Sequence, residues 1–377
     1  MKGSDVGGTE LHSRARRVIG VLRHARLALF GLAAIVGIVG ASASAGTIDW
    51  VTVGDPGNAA DPTSQISGPA DFGAVTDSFQ IMKYEWTNSQ YVEFLNAVDP
   101  NGTNPNSIYD DRGVISFTSG NASGSKYAAL ANMGNKPVIF VSWFDAARVA
   151  NWLHNGQGAA STETGAYTLN NATSGNAPAR NAGARFYIPT EDQWYKAAYY
   201  KGSGTNAGYW AQATQSNTPP TPVNATAVGT GTTSGVSPVI SGNFANWQRA
   251  ADWNGSDGNL TTVGTNGGPS AYGTFDMSGN VSEWTDSVFY GQPEMRVMRG
   301  GSWYDASFSW EMSSHNRAGG LASIGDSRWG FRLASSVSGP SGVPEIDPSG
   351  LRLAAALVAG CLALREPRQL SRSAHSS

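Results

Sequence analysis

Three stretches of the chain place apolar residues every three or four positions, the spacing of amphipathic helices. The first, Met82–Val98, predicts a short strand followed by a helix whose N-cap is Thr87 or Asn88. The second, Pro137–Leu153, predicts an extended run followed by a helix capped by Ser142. The buried face of this second helix is predicted to comprise Phe144, Ala147, Val149, Ala150 and Leu153.

The third stretch, Arg185–Tyr200, predicts a helix with Pro189 at its N-terminus and Thr190 as its cap. Glu191 and Asp192 follow the cap, where negative charge interacts favourably with the positive end of the helix dipole. Each of the three helices should therefore begin at a defined residue.

Long segments rich in Gly, Asn, Ser and Thr separate these stretches. They are Pro100–Lys126, His154–Ala184 and Gly202–Ser241. Irregular segments of this length count against a regular α/β sheet or a barrel. No internal repeat is visible, so we predict one loop-rich α+β domain over residues 46–335.

The composition excludes several classes of function but does not identify one. The net charge is −3 and charged residues make up 14% of the chain, which argues against nucleic acid as a partner. The chain has 47 glycines and 12 tryptophans, a composition typical of a loop-rich exported domain and too aromatic for disorder. The single cysteine, Cys361, excludes intrachain disulfides and cysteine-based metal sites.

The N-terminal segment has the parts of a secretory signal. Five arginines lie between residues 14 and 26, the apolar run Leu27–Val39 follows, and small residues end at Ala43-Ser44-Ala45. We predict a signal peptide over 1–45. The alternative is a membrane anchor, but the run is shorter than the roughly 20 residues that span a bilayer.

The C-terminal segment, 336–377, resembles a PEP-CTERM sorting tail. Val343-Pro344-Glu345 precedes the apolar run Leu353–Leu364, and arginines follow it. The resemblance implies an exosortase-type partner, export to the cell envelope or extracellular matrix, and membrane contact only through the two terminal segments. The alternative is an ordinary amphipathic helix, although 353–364 is apolar on every side.

Several motifs together resemble the formylglycine-generating enzyme (sulfatase-modifying factor) family. They are YEWTNSQY from Tyr84, PVIFVSWFDAARVANWL from Pro137, RFYIPTEDQWYKAA from Arg185, GNVSEW from Gly279, RGGSW from Arg299 and GFR from Gly330. The resemblance runs from about Thr47 to Leu333. It implies a modified C-type-lectin α+β fold with little regular secondary structure.

The residues that perform this family's chemistry are replaced. The resemblance places two catalytic cysteines after Gly300-Gly301-Ser302, at the positions of Asp305 and Trp310, while Ser302 matches an active-site serine. Copper(I) prefers thiolate ligands, which neither replacement supplies, so copper is not expected. We therefore expect no family catalysis. Asp305, Glu311 and Asp326 remain as carboxylates that could act on a sugar or merely bond loop amides.

The resemblance also implies structural calcium. In the loop from Asp276 to Glu283 it implies carboxylate ligands from these two residues and carbonyl ligands from Gly279 and Val281. A second set implied by the resemblance is Asn246, Trp247, Asp257 and Asn259. The alternative is a pair of turns whose acidic side chains only cap backbone amides. His154 and His315 are isolated in the sequence and predict no zinc or iron site.

Aromatic residues cluster around the former catalytic positions. They are Trp303, Tyr304, Phe308, Trp310 and Trp329. Exposed aromatics with a few polar groups suit stacking on sugars or binding of a peptide. Three functions stay open: a ligand-binding surface protein, an oxidase with an atypical site, and a purely structural envelope protein. Exposure of these aromatics in one cleft would favour binding, and burial would favour a scaffold.

Overall fold

A computed structural model describes residues 48–63, 70–305 and 309–336. The predicted signal peptide, the predicted sorting tail and Phe308 lie outside the described residues. Within the described residues no helix is long and apolar enough to cross a membrane.

The three predicted helices are present and begin where their caps predict. They are α1 (Asn88–Val98), α2 (Trp143–His154) and α3 (Glu191–Tyr199). Thr87, Ser142 and Thr190 each accept a hydrogen bond from the backbone N–H three residues on, and that residue's side chain accepts one from the cap's own N–H. Such capping boxes satisfy backbone donors that a helix leaves unpaired.

The predicted buried face of α2 is confirmed, but burial extends further. All its residues except His154 are buried, so the helix runs through the interior and not along the surface. The short strand predicted to begin at Met82 is misplaced, because the strand there ends at Met82. At Pro137, where a strand or an extended run is predicted, the structure has an isolated bridge between Pro137 and Thr87.

The strands are short and far apart along the chain. In chain order they are β1 (Trp50–Val53), β2 (Phe79–Met82), β3 (Ile115–Phe117), β4 (Tyr127–Ala129), β5 (Phe186–Tyr187), β6 (Thr221–Pro222), β7 (Asn224–Ala225), β8 (Gly231–Thr232), β9 (Phe244–Ala245), β10 (Ser282–Phe289), β11 (Gln292–Arg299), β12 (Ala318–Leu321), β13 (Trp329–Gly330) and β14 (Ala334–Ser336). One sheet has the order β1-β2-β14-β5 and is antiparallel throughout. The second has the order β12-β11-β10-β13, in which only β10 and β13 are parallel.

The core lies between these sheets and the helices and is rich in aromatic residues. Trp284 of β10 is fully buried, and its Nε1 donates to the carbonyl of Val141 at 3.0 Å. Trp86 stacks on Phe331 with ring centroids 5.7 Å apart. The architecture is α+β with few helices and mixed sheets, as the sequence predicts. The C-type-lectin variant of that class stays a prediction.

Candidate functional site

Asp305 occupies the first former cysteine position and is held there by Ser302. The Asp305 Oδ2 accepts hydrogen bonds from the Ser302 backbone N–H at 2.6 Å and from the Ser302 Oγ at 3.1 Å. Ser302 is itself completely buried beneath the surface. Because two donors point at one oxygen, the arrangement fixes the orientation of the Asp305 side chain.

Glu311 joins Asp305 to form a pair of carboxyl groups. It lies on a 3-10 turn, Ser309–Met312, and its side chain shares a hydrogen bond with Asp305. Burial, then the negative charge of Asp305 and the hydrogen bond to it, raise the pKa of Glu311 to about 7. Two carboxyl groups in contact cannot both ionise freely, so near neutral pH this pair can both donate and accept a hydrogen bond.

The predicted aromatic cluster divides into exposed and packed members. Tyr304 is 40% exposed and Trp310 is 39% exposed. Trp303 instead packs against Ile139 and donates from Nε1 to the carbonyl of Ser327 at 3.0 Å. Trp329 packs edge-on against Trp284, with ring centroids 5.3 Å apart. The expected set of surface aromatics is therefore reduced to Tyr304 and Trp310 among the described residues.

Two arginines that the sequence patterns did not single out border this surface. The guanidinium of Arg249 lies over the Tyr304 ring at 3.8 Å from its centroid, and that of Arg328 lies at 5.6 Å. Arg328 also pairs with Asp326 at 2.7 Å. Its positive charge lowers the pKa of Glu311, against the larger upward effects. The structure thus places Asp326 beside Arg328 as an ion-pair partner.

The predicted calcium loop is a tight turn with strained backbone. Asp276 and Asn280 have φ values of 59° and 62°, which are uncommon for residues other than glycine. Gly279 has φ 83°, and a Cβ there would lie 2.4 Å from the carbonyl oxygen of Asn246. Strain of this kind persists where the surrounding structure imposes it, often at ligand sites.

Both carboxylates of this loop are buried and have protein partners. Asp276 accepts from the Gly264 N–H at 2.5 Å and from Asn266 Nδ2 at 2.8 Å. Glu283 forms a bidentate pair with Arg332, with both N–O distances at 2.7 Å, and accepts from Trp194 Nε1 at 2.8 Å. Burial raises the pKa of Asp276 despite its donors.

A third buried carboxylate, Glu85, approaches the same loop from the segment between β2 and α1. Its Oε1 accepts from the Val281 N–H at 3.2 Å and its Oε2 accepts from Asn280 Nδ2 at 2.7 Å. Burial, then the charges of Asp276 and Glu283, raise the pKa of Glu85 well above its usual value. The sequence signal for Glu85 is its place between two aromatic residues, Tyr84 and Trp86, where an acid that becomes buried needs a partner.

In the second predicted calcium set, the Asn259 carbonyl lies beside Asn246 and accepts from its Nδ2 at 2.9 Å, whereas the Asp257 side chain points to solvent. The Asp257 side chain is 82% exposed and pairs with Arg249 at 3.0 Å. The Asn259 side chain bonds the Leu260 N–H and Asn254. Asn246, in contrast, is fully buried next to the first loop, where its Nδ2 donates to Asn280 Oδ1 at 3.0 Å. Trp247 is also buried and donates to the carbonyl of Pro220.

One observation bears on whether a cation fits here. The Oδ1 of Asn246 is buried and has no hydrogen-bond partner, which is costly unless something else binds it. Among the described residues, no three carboxylate, imidazole or thiol groups are arranged to hold a metal ion. The first loop therefore fits calcium only if carbonyl and amide oxygens supply the remaining ligands, as calcium commonly allows. The Asp257 side chain is exposed and paired with Arg249, so it does not lie with Asn246 and the Asn259 carbonyl.

The chain matches the sulfatase-modifying factor enzyme 1-like domain, FGE-sulfatase, over residues 44–337. It therefore belongs to this family.

Curated relatives match over a shorter stretch. The inactive C-alpha-formylglycine-generating enzyme 2 of Mus musculus is 40% identical over 78 residues, which are 18% of this chain and 24% of that protein. The Bos taurus protein of the same name is 37% identical over 78 residues, 19% of this chain and 25% of that protein. The match thus spans about a quarter of the length of these relatives.

Three solved structures are similar at low sequence identity. CarF has a TM-score of 0.46 at 22% identity, with 77% of this chain and 99% of CarF covered. The variable protein 1 of Treponema denticola has a TM-score of 0.44 at 20% identity, with 78% and 97% covered. PvdO from Pseudomonas aeruginosa has a TM-score of 0.39 at 18% identity, with 77% and 92% covered.

Proposed function

We propose that this family member is a ligand-binding domain without the family's oxidase activity. The observation that carries the proposal is the hydrogen bond between Glu311 and Asp305, the residue that the family resemblance places at the first cysteine position. Carboxylates are hard ligands and a poor match for copper(I), which needs soft thiolates. Trp310, at the second position, has no group that coordinates a metal. The word "inactive" in the name of the two curated relatives is consistent with this proposal.

The ligand class we propose is a glycan or a peptide. Trp310 offers an exposed ring for stacking, and the carboxyl pair beside it can accept and donate hydrogen bonds. Arg328 adds a positive charge within range of that pair. This combination of aromatic, acidic and cationic groups suits hydroxyl-rich or amide-rich ligands better than apolar ones.

Binding is tested on glycan and peptide arrays probed with the wild-type protein. We expect retention of ligands from one of these classes and loss of retention in Trp310→Ala. Leu130→Ala is a matched control, because Leu130 is also an exposed apolar residue, at 47% exposure. If neither array retains the wild-type protein, or if both variants bind equally, the proposed site is wrong and a structural role becomes the better account.

The oxidase alternative is favoured only by family membership. It is tested by incubating the protein with a sulfatase-type cysteine peptide, copper, oxygen and a thiol reductant. We expect mass spectrometry to detect no conversion of the thiol to an aldehyde. Conversion would mean that Asp305 and Trp310 do not disable the site, and the binding proposal would lose its main support.

We propose that calcium stabilises the loop from Asp276 to Glu283. The ligands would be these two carboxylates with the carbonyls of Gly279 and Val281, and the orphaned Asn246 Oδ1 beside the loop supports a cation there. We also propose export to the envelope or matrix, on the basis of the terminal sequence segments. N-terminal sequencing of the protein recovered outside the cytoplasm should begin at Gly46.

A further inference from the structure

Around the loop from Asp276 to Glu283, buried acidic groups outnumber buried basic groups. Glu85, Asp276 and Glu283 are buried carboxylates, and Arg332 is a fully buried guanidinium. The positive charge of Arg332 interacts with all three of these acids. Three carboxylates against one guanidinium leave two negative charges when all are ionised.

All the hydrogen-bond donors of the Arg332 guanidinium are already used, and its single positive charge balances only one of the three carboxylates. Its side chain is bidentate to Glu283, and its other N–H groups donate to the carbonyls of Met82, Lys83 and Phe275 at 3.1, 3.2 and 2.8 Å. With these five contacts its donors are used. An uncompensated buried charge is strongly destabilising, so the two acids that Arg332 does not neutralise bind either protons or a further cation.

Glu85 is tied to the loop by direct contacts. It accepts from the Val281 backbone N–H at 3.2 Å and from Asn280 Nδ2 at 2.7 Å. Asn280 in turn accepts from Asn246 Nδ2 at 3.0 Å, and Asn246 carries the orphaned buried Oδ1. Glu85 therefore contacts the backbone at Val281 and the side chain of Asn280, and through Asn280 it is linked to the Asn246 amide that has an unused oxygen.

We propose that Glu85 is a positioning residue for the calcium site, and that its charge matches the site to a divalent cation. This inference rests on the proposed calcium binding. Glu85 holds the 280–281 peptide through the Val281 N–H, and this peptide lies between the carbonyls of Gly279 and Val281 that would bind the ion. Its negative charge, together with those of Asp276 and Glu283 and the positive charge of Arg332, balances a charge of plus two.

The test compares melting temperatures with calcium and with EDTA, using the full chain and the variant Glu85→Gln. This substitution keeps the shape and removes one charge. In the wild type, EDTA should lower the melting temperature. In Glu85→Gln we expect a lower melting temperature than wild type with calcium but a higher one in EDTA, because one repelling charge has been removed. Calorimetric titration with calcium alone should show binding weakened about tenfold to a hundredfold, as for other residues that orient metal ligands.

Glu163→Gln is the matched control, since Glu163 is a partly buried acid paired with Arg148 at 2.8 Å. Its effect on the melting temperature should be the same with and without calcium. If Glu85→Gln also has the same effect in both conditions, the role of Glu85 is structural only and the inference fails. If the wild type neither binds calcium in the titration nor responds to EDTA, the calcium proposal itself fails.

Asp276→Asn covers the case in which Glu85→Gln does not fold. It removes one charge from the other side of the loop, so the same reversal of sign between calcium and EDTA is expected. If calcium stabilises the wild type but Asp276→Asn shows no reversal, the charge balance is wrong although calcium binds.

Discussion

At the scale of single residues, Asp305 and Glu311 form a pair of carboxyl groups in contact. Two carboxyl groups so placed compete for a proton. Burial, then the negative charge of Asp305 and the hydrogen bond to it, raise the pKa of Glu311 to about 7. The site therefore presents a group whose charge changes near neutral pH.

The substitution Asp305→Asn should lower the pKa of Glu311 from about 7, because it removes the neighbouring negative charge. Burial remains in the variant, so the pKa should stay above that of an exposed glutamate. Carboxyl carbon chemical shifts, followed by NMR as the pH is varied, report this value. Asp257→Asn is the control, since Asp257 is exposed and paired with Arg249. Equal pKa values for Glu311 in wild type and Asp305→Asn would contradict the interaction.

At the scale of elements, the helices were predictable because their signals are local. Thr87, Ser142 and Thr190 each lie three residues before the side chain that completes the capping box. Strands were harder, because most are two to four residues long and pair with distant segments. The long hairpin of β10 and β11 was not predicted, and its register shifts after Trp284 disturb the alternation that marks a strand.

In the candidate site, too, residues from one contiguous motif were predictable and residues from distant segments were not. Ser302, Asp305 and Trp310 could be predicted to lie near one another, because one contiguous segment of sequence carries them. Arg249, Arg328 and Glu85 arrive from distant segments, and no local pattern reports such pairing. Closeness in sequence can also mislead. Asp257 lies near Asn246 in the sequence and is a residue type that binds calcium, but its side chain points to solvent.

The cap of α2 gives a prediction at this scale. Ser142→Ala should destabilise the protein by about 1 kcal/mol, since the Ser142 Oγ accepts the Asp145 N–H at 3.1 Å and this donor would lose its partner. The loss is measured as the change in free energy of unfolding in urea. Ser116→Ala serves as control, because its hydroxyl bonds Ala128 at an exposed position. A loss in Ser142→Ala no larger than in the control would show that the cap contributes nothing to stability.

At the scale of the whole molecule, burial favours the uncharged form of several ionisable side chains over the charged form that they have in the unfolded chain. Burial raises the pKa of Asp145 to about 6 and that of Asp286 to about 7. Glu311 joins them at about 7. Lys136 behaves in the opposite way, because burial without a carboxylate partner lowers its pKa to about 8. These groups are spread through the fold, so their effects on global stability should add.

The sign of each contribution follows from proton binding. The three acids bind protons more tightly when folded, so their contribution is complete below the unfolded pKa, about 4, and is lost as pH rises to about 7. Lys136 binds its proton less tightly when folded, so stability increases as pH rises above about 8. The melting temperature should therefore pass through a minimum near pH 7 to 8, as measured by calorimetry between pH 4.5 and 9.5 at constant calcium. Asp286→Asn should flatten the acidic side of this minimum, because it removes one titrating group. A melting temperature that rises steadily from pH 5 to 7 would mean that these burial effects do not control the pH dependence.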